Sequence, residues 1–173
     1  LVYAAQLHRC QRRKGSDIPY ITHLLAVASL VGEHGGSEDA VIAGLLHDAV
    51  EDQGGRPVLE TIRGLFGERV AGIVSACSDT DQSPKPPWLE RKRAYLAHIS
   101  DLDGDTLLVS AADKLHNVRA ILSDYRVLGD GLWVRFNAGR DEQLWYYAEL
   151  EAAFQRRFDR LAALDDTGWG RQV

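Results

Sequence analysis

The sequence predicts an all-α protein, folded as a single-domain bundle of helices. Apolar residues recur with helical spacing along most of the 173 residues, and strand-like alternation does not persist. Residues that cap or break helices separate these segments. The length suffices for one core, and a hydrophobic content of 45% is ordinary for a globular domain. We expect one domain over residues 1–164 and a C-terminal tail over residues 165–173.

The first two predicted helices flank a basic loop. Residues 1–10 are expected to form the end of a first helix, and residues 11–20 a loop that contains Gly and Pro. Thr22 is the expected N-cap of the second helix, which should end near Gly35-Gly36. The loop therefore leads directly into a helix start.

Three further helices are predicted before residue 79. Ser37 is expected to cap a helix that carries His47-Asp48. Pro57 suits the first turn of a short helix that Gly67 should end, and another helix is predicted over residues 68–78. All of these segments are short enough for a compact bundle.

The second half is predicted to contain three helices and a surface loop. Residues 79–87 are rich in turn-forming residues, and residues 88–99 should be helical. The next helix follows a turn over residues 101–105, and a long closing helix starts near Asp141. The apolar stripe expected on the helix after the turn consists of Leu108, Ala111, Ala112, Leu115, Val118 and Leu122.

Composition excludes several classes of protein. A net charge of −5 argues against a nucleic acid polymer or an anionic membrane as partner. No apolar run reaches membrane-spanning length, and no signal peptide is visible. We expect Cys10 and Cys77 to be small core thiols in a reducing cytoplasm. Because the chain starts at Leu1 and contains no Met, a few preceding residues are expected; the sequence indicates no oligomeric state.

The most informative motif is His47-Asp48 followed three residues later by Glu51-Asp52, inside the most apolar stretch of the chain. Burying four such groups is costly unless something compensates for the lost hydration. On a helix, His47 lies one turn from Glu51, and Asp48 one turn from Asp52. A divalent cation is the simplest common partner for these groups, so the motif predicts an active site.

Two more segments complete a candidate metal centre if the fold brings them together. His23 lies at the start of one helix and Asp113 in the middle of another. With His47 and Asp48 they form a mixed nitrogen and oxygen ligand set that suits manganese, iron or zinc. Glu51 and Asp52 could hold or deprotonate a water there.

Two elements could bind a substrate beside this centre. Asn117 follows Asp113 by one turn and would face the same cavity as a neutral donor. The loop that includes Arg13 and Lys14 leads into His23 and could clamp phosphate, which makes a phosphate-bearing substrate more credible. His116 is expected to point toward the core, and His8, His34 and His98 carry no comparable context.

These motifs resemble the HD superfamily of metal-dependent phosphohydrolases, whose signature matches His23, His47-Asp48 and Asp113. The similarity is closer to the hydrolase domain of the RelA/SpoT family, in particular to the stand-alone small alarmone hydrolases of the Mesh type. The motifs that carry it are Gln11-Arg12-Arg13-Lys14, Pro19-Tyr20-Ile21-Thr22-His23, Leu45 to Asp52, Phe66-Gly67 and Ala112 to Asn117.

The resemblance implies a helical fold with one manganese ion, and removal of the 3′-pyrophosphate from (p)ppGpp to give GDP or GTP and pyrophosphate. It implies a role for each matching residue. The metal ligands would be His23, His47, Asp48 and Asp113. Glu51 and Asp52 would activate the water. Arg13, Lys14 and Asn117 would contact the nucleotide.

The chain departs from the usual family pattern at four places, and two alternatives stay open. Residues 15–18 are differently ordered and one residue longer, Leu24 replaces a common proline, Gln53 a threonine, and Ser110 a lysine. One alternative is an HD nucleotidase or phosphatase acting on another nucleotide, such as a dNMP or NADPH. The other is a non-catalytic HD domain that senses nucleotides.

Overall fold

A computed structural model describes residues 1–78, 84 and 86–165. The expectation of an all-α bundle is confirmed, since the described residues contain helices and one isolated bridge between Arg12 and Pro19. The helices are α1 (Val2–Leu7), α2 (Ile21–Glu33), α3 (Glu38–Leu46), α4 (Ala49–Gln53), α5 (Gly55–Cys77), α6 (Trp88–His98), α7 (Gly104–Leu128) and α8 (Arg140–Asp165). Short 3₁₀ helices cover Ile99–Asp101 and Gly129–Arg135.

Local sequence explains where several helices begin and end. The Ser37 side chain accepts a hydrogen bond from the backbone N–H of Ala40, as predicted for the N-cap of α3. Asp103 caps α7 in the same way by accepting from the N–H of Thr106. Gly67 adopts φ 89° and ψ 172°, so α5 is two helical segments joined at a kink. The predicted stop at Gly67 is therefore confirmed.

The main core lies between α2, α3, α5 and the first half of α7. Its members are small and branched apolar side chains with almost no exposed surface, such as Leu24, Val27 and Ile62. Helices α2 and α3 approach closely at Gly44, where an added Cβ would lie only 3.2 Å from the Cα of Ala28. This close contact brings the end of α3 beside the start of α2, where His23 is located.

A second cluster packs α8 against α6 and the start of α7. It includes Tyr95, Leu107, Tyr146 and Leu150, all buried. The second half of α7 differs, because Leu115, Val118 and Leu122 are 36% to 50% exposed. Of the predicted apolar stripe, Ala112 is buried and Leu108 and Ala111 are half-buried, whereas its last three members face outward.

Three local predictions are wrong. Thr22 does not cap α2, because the helix already begins at Ile21 and the Thr22 hydroxyl donates to the carbonyl of Pro19. His47 and Asp48 do not lie within one continuous helix; they form the junction between α3 and α4. Cys10 is exposed rather than a core thiol, whereas Cys77 packs against the main core.

Two predictions concern residues that lie partly or wholly outside the described ranges. The loop predicted over residues 79–87 falls mostly, and the tail after residue 165 entirely, outside the described residues. The division into residues 1–164 and 165–173 therefore stays a prediction. Among the helices described, we find none that is both long enough and apolar enough to cross a membrane.

Candidate metal centre and active site

Four side chains from three parts of the chain meet at one point. His23 comes from the first turn of α2, His47 and Asp48 from the α3–α4 junction, and Asp113 from the middle of α7. One ligand atom from each lies within 4.8 Å of all the others. His23 and His47 are at most 2% exposed and Asp113 is 5% exposed, while Asp48 is half-buried.

Hydrogen bonds on the far side of each imidazole orient it toward this point. Nδ1 of His47 donates to the backbone carbonyl of Gly44 over 2.8 Å. Nδ1 of His23 lies 2.7 Å from Nδ1 of His116, so His116 stands behind His23 and outside the four-residue cluster. Burial and the neighbouring His23 and Arg13 lower the pKa of His116 to about 4, so its ring is neutral at pH 7 and one of the two Nδ1 atoms donates to the other. Partners of this kind fix ligand histidines at metal sites.

The inward-facing nitrogens provide the test of whether a metal fits. Nε2 of His23 and Nε2 of His47 are buried and make no hydrogen bond within the described residues. Oxygens of Asp48 and Asp113 lie 3.0 to 3.5 Å from them without hydrogen-bond geometry. Two buried imidazole nitrogens beside two carboxylates form a donor set that can hold a divalent metal ion once both nitrogens are deprotonated.

Each carboxylate is also held by neighbours outside the cluster. The Tyr20 hydroxyl donates to Oδ2 of Asp48 over 2.6 Å. Lys114 donates to Oδ2 of Asp113 and Asn117 donates to its Oδ1, each over 2.6 Å. The carboxylates are thereby fixed in orientation as firmly as the imidazoles.

The electrostatics of the cluster favour negative oxygens around a positive centre. Burial alone would raise the pKa of Asp113, but Lys114 and the two imidazoles lower it well below its usual range. Burial would likewise lower the pKa of His47, yet Asp48 and Asp113 raise it well above its usual value. The pKa of Tyr20 is raised by burial and by Asp48, so its hydroxyl stays a donor.

Glu51 and Asp52 lie one turn beyond the cluster, on α4. The backbone N–H of Asp52 donates to the carbonyl of Asp48, which continues the helical path across the junction. Glu51 is half-buried and Asp52 is exposed, and Oδ2 of Asp52 accepts from Nε2 of Gln11 over 2.7 Å. Their part in water activation stays a prediction.

The basic loop reaches the cluster through Arg13. Its guanidinium donates to Oδ1 of Asn117 over 2.8 Å, and Asn117 in turn contacts Asp113. The Lys14 ammonium instead lies over the ring of Phe136, 5.4 Å from its centroid. The structure therefore brings Arg13 and Asn117 together at the cluster, and it links Lys14 to the segment after α7.

Several residues near the cluster had been given no role from the sequence. His8 is only 2% exposed and stacks on Tyr20, with ring centroids 5.3 Å apart. Tyr20, Gln11 and Lys114 all contact a member of the cluster or of the Glu51-Asp52 pair. Their position in the sequence could have indicated them, since each lies within a few residues of a predicted site residue.

The bundle of helices encloses the buried His/Asp cluster, so the protein is a helical domain with a candidate metal centre. Residues 1–142 match the HD domain family, and the chain therefore belongs to that family.

Curated relatives match about two thirds of the chain. Guanosine-3′,5′-bis(diphosphate) 3′-pyrophosphohydrolase MESH1 of Xenopus tropicalis is 40% identical over 120 residues, which are 68% of this chain and 64% of that protein. The human protein of the same name is 38% identical with the same coverage. The chain thus matches less than two thirds of the length of these relatives.

Solved structures agree in fold. A crystal structure of lmo0812 from Listeria monocytogenes has a TM-score of 0.68 at 31% identity, and the match covers 77% of this chain and 83% of that one. The structure of a metazoan ortholog of SpoT, described as hydrolysing ppGpp, has a TM-score of 0.63 at 27% identity. That match covers 90% of this chain and 92% of the other.

Proposed function

We propose that the protein is a manganese-dependent hydrolase that removes the 3′-pyrophosphate from guanosine 3′,5′-bispyrophosphate (ppGpp) or from pppGpp, giving pyrophosphate and GDP or GTP, respectively. The observation that carries the proposal is the buried cluster of two histidines and two aspartates, with Glu51-Asp52 one turn beyond it and Arg13 at its edge. The relatives named above support the choice of substrate.

His23, His47, Asp48 and Asp113 would hold the ion in this proposal. Nitrogen and carboxylate ligands without thiolates suit manganese, and the pinned imidazoles leave both Nε2 atoms for coordination. When bound, a divalent cation supplies Lewis acidity and makes water acidic enough to attack at neutral pH. The other steps depend on residues of the chain itself.

Glu51 and Asp52 accept the proton of the attacking water in our proposal. The oxygen of that water bonds to the phosphorus next to the ribose 3′-oxygen, and the bond between this phosphorus and the 3′-oxygen breaks. The 3′-oxygen then takes up the proton that the carboxylate accepted. A carboxylate one helical turn from the metal ligands has the reach and the basicity for the first transfer.

Arg13, Lys14 and Asn117 bind the nucleotide in this scheme. The Arg13 guanidinium has a planar fork of donors that can pair with phosphate oxygens or stack on a base. Asn117 already bridges Arg13 and Asp113, and a substrate phosphate could take over the Arg13 end of this bridge. The protein has a net charge of −5, so such local cations are needed to attract an anionic nucleotide.

The two free cysteines fit our further expectation of a cytoplasmic location.

A hydrolysis assay over a panel of nucleotides tests the proposal. Purified protein with Mn²⁺ is incubated with ppGpp, pppGpp, dNMPs and NADPH, and the products are identified by mass. We expect GDP or GTP with intact pyrophosphate, and no turnover in EDTA. Release of inorganic phosphate from a dNMP or NADPH instead would assign the alternative nucleotidase class. Binding without any hydrolysis across divalent metals would identify a sensing domain.

A further inference from the structure

The end of α1 and the start of the basic loop carry a polar network that reaches the proposed active site. Its centre is the side-chain amide of Gln11. Oε1 of Gln11 lies 2.6 Å from Nδ1 of His8 and 2.5 Å from Nε2 of Gln53. On its other side, Nε2 of Gln11 lies 2.7 Å from Oδ2 of Asp52. The network thus connects α1 to the end of α4 across about 40 residues of sequence.

The Asp52 carboxylate determines which way the Gln11 amide faces. A carboxylate only accepts hydrogen bonds, so the NH₂ group of Gln11 faces Asp52 and Oε1 of Gln11 faces Gln53 and His8. The reversed amide would place the Gln11 oxygen against the Asp52 carboxylate, at a cost typical of an unsatisfied polar group. The NH₂ group of Gln11 is therefore directed at the Asp52 carboxylate.

His8 anchors this network and the metal cluster at the same time. Its ring is 2% exposed and lies nearly parallel to Tyr20, at an interplanar angle of 14°. Tyr20 donates to Asp48, while Nδ1 of His8 contacts Gln11, which donates to Asp52. One buried ring thus supports the contacts to Asp48 and to Asp52, which are the proposed ligand and the proposed base.

We propose that Gln11 is a positioning residue that holds Asp52 in place to accept a proton, with His8 and Gln53 fixing the Gln11 amide. The inference rests on the proposed function, which gives Asp52 its part in the reaction. Asp52 is exposed, and an exposed carboxylate without such a contact would sample several rotamers. The Gln11 amide orients the carboxylate and, being neutral, lowers its proton affinity less than a cationic donor in the same place would.

The kinetic test compares Gln11→Ala with Gln6→Ala, a matched change on an exposed position of α1. We expect Gln11→Ala to lower kcat for ppGpp by roughly 10-fold or more, as for other supporting residues of metal sites. KM and the affinity for Mn²⁺ should stay within about two-fold of the wild type, because Gln11 contacts neither ligand nor proposed nucleotide residues. Wild-type kcat in Gln11→Ala, or an equal loss in Gln6→Ala, would overturn the inference.

A double-mutant cycle with Asp52→Ala tests whether Gln11 acts through Asp52. In the Asp52→Ala background, removing the Gln11 side chain should lower kcat by less than about two-fold, since the residue it positions is already gone. Losses that multiply would show that Gln11 acts elsewhere. Wild-type turnover in Asp52→Ala itself would also contradict the inference.

A measurement on the metal-free protein separates this inference from the proposed function. In ¹⁵N-labelled protein in EDTA, the side-chain NH₂ resonances of Gln11 should shift on Asp52→Ala, while those of Gln6 should not. If the wild type shows no hydrolysis but this shift occurs, the contact stands and the proposed function fails. If hydrolysis occurs but the Gln11 resonances do not respond to Asp52→Ala, the positioning role is wrong.

Discussion

The metal cluster and the basic loop both consist of polar residues, yet the fold holds them in different ways. Three of the four cluster residues are at most 5% exposed, and each imidazole is fixed by a contact behind it. The loop over residues 11–20 is closed by the Arg12–Pro19 bridge, and most of its side chains are exposed. Buried side chains with fixed orientations suit a metal centre, and an exposed loop suits contacts with a substrate that enters and leaves.

The largest effect is expected from changing a cluster residue. Asp48→Asn removes one negative oxygen from the cluster while keeping the size of the side chain. We expect Mn²⁺ affinity to fall by more than about 100-fold, because losing even a supporting partner of a ligand costs 10- to 100-fold. Hydrolysis should be lost together with metal binding. Calorimetry with Mn²⁺ measures the affinity, and Asp141→Asn, at an exposed position of α8, is the control. An Asp48→Asn variant with wild-type affinity would show that the cluster does not bind the ion.

A smaller effect is expected just outside the cluster. Glu51→Gln keeps the shape of the side chain but removes its ability to accept a proton. We expect kcat to fall by about 100-fold, the usual contribution of a general base, with Mn²⁺ affinity retained. Steady-state kinetics with calorimetry separates the two quantities, and Glu151→Gln on the exposed surface of α8 serves as control. Unchanged kcat would place water activation on other residues.

The loop is expected to contribute binding rather than chemistry. Arg13→Ala should raise KM for ppGpp by about 10-fold, as expected for the loss of a charge-assisted hydrogen bond, with a smaller change in kcat. The matched control is the neighbouring Arg12→Ala, whose exposed side chain contacts the backbone carbonyl of Gln11. An unchanged KM in Arg13→Ala, or equal effects of both variants, would remove the loop from substrate binding.

The same difference explains how much of the site could be predicted from the sequence. His47 and Asp48 stand out because charged residues interrupt a buried apolar segment, and such an interruption is costly without a partner. Helical spacing then relates Asp113 to Asn117, which are in contact in the structure. The all-α fold follows from the same periodicity, which α2, α3 and α7 retain.

The contacts that the sequence could not predict join distant segments or depend on neighbours. Gln11 reaches Asp52 only because α1 and α4 pack together, and nothing local in either segment indicates it. Leu115 and Leu122 have helical spacing, but the described residues do not cover this face of α7. Thr22 has the residue type of an N-cap, yet its hydroxyl turns back to Pro19 because α2 begins one residue earlier. The spacing of apolar residues in the sequence predicts that a helix has an apolar face. Whether that face is buried depends on the tertiary packing.

The smallest predicted effect concerns α7, the helix that carries Asp113. It separates the stability of the fold from the metal affinity of the cluster. Asp103 caps α7 ten residues before Asp113 and pairs with Arg69. Partial burial raises the pKa of Asp103, but the hydrogen bonds from Arg69 and from the N–H of Thr106 outweigh it and lower the pKa to about 2. The charged carboxylate therefore stabilises the fold above the unfolded-state pKa of about 4, and this contribution is lost as pH falls from about 4 toward 2.

Asp103→Asn keeps a good capping residue and removes only the charge. At pH 7 we expect the variant to lose less than about 1 kcal/mol of unfolding free energy, because Asp103 is exposed and solvent weakens its pairing with Arg69. The difference from wild type should shrink toward zero as the pH is lowered from 5 to 2.5, with Mn²⁺ affinity at pH 7 unchanged. Urea unfolding at a series of pH values measures the first quantity and calorimetry the second. A difference independent of pH would show that shape rather than charge at residue 103 stabilises α7, and a loss of Mn²⁺ affinity would show that the cluster depends on the surface cap of its helix.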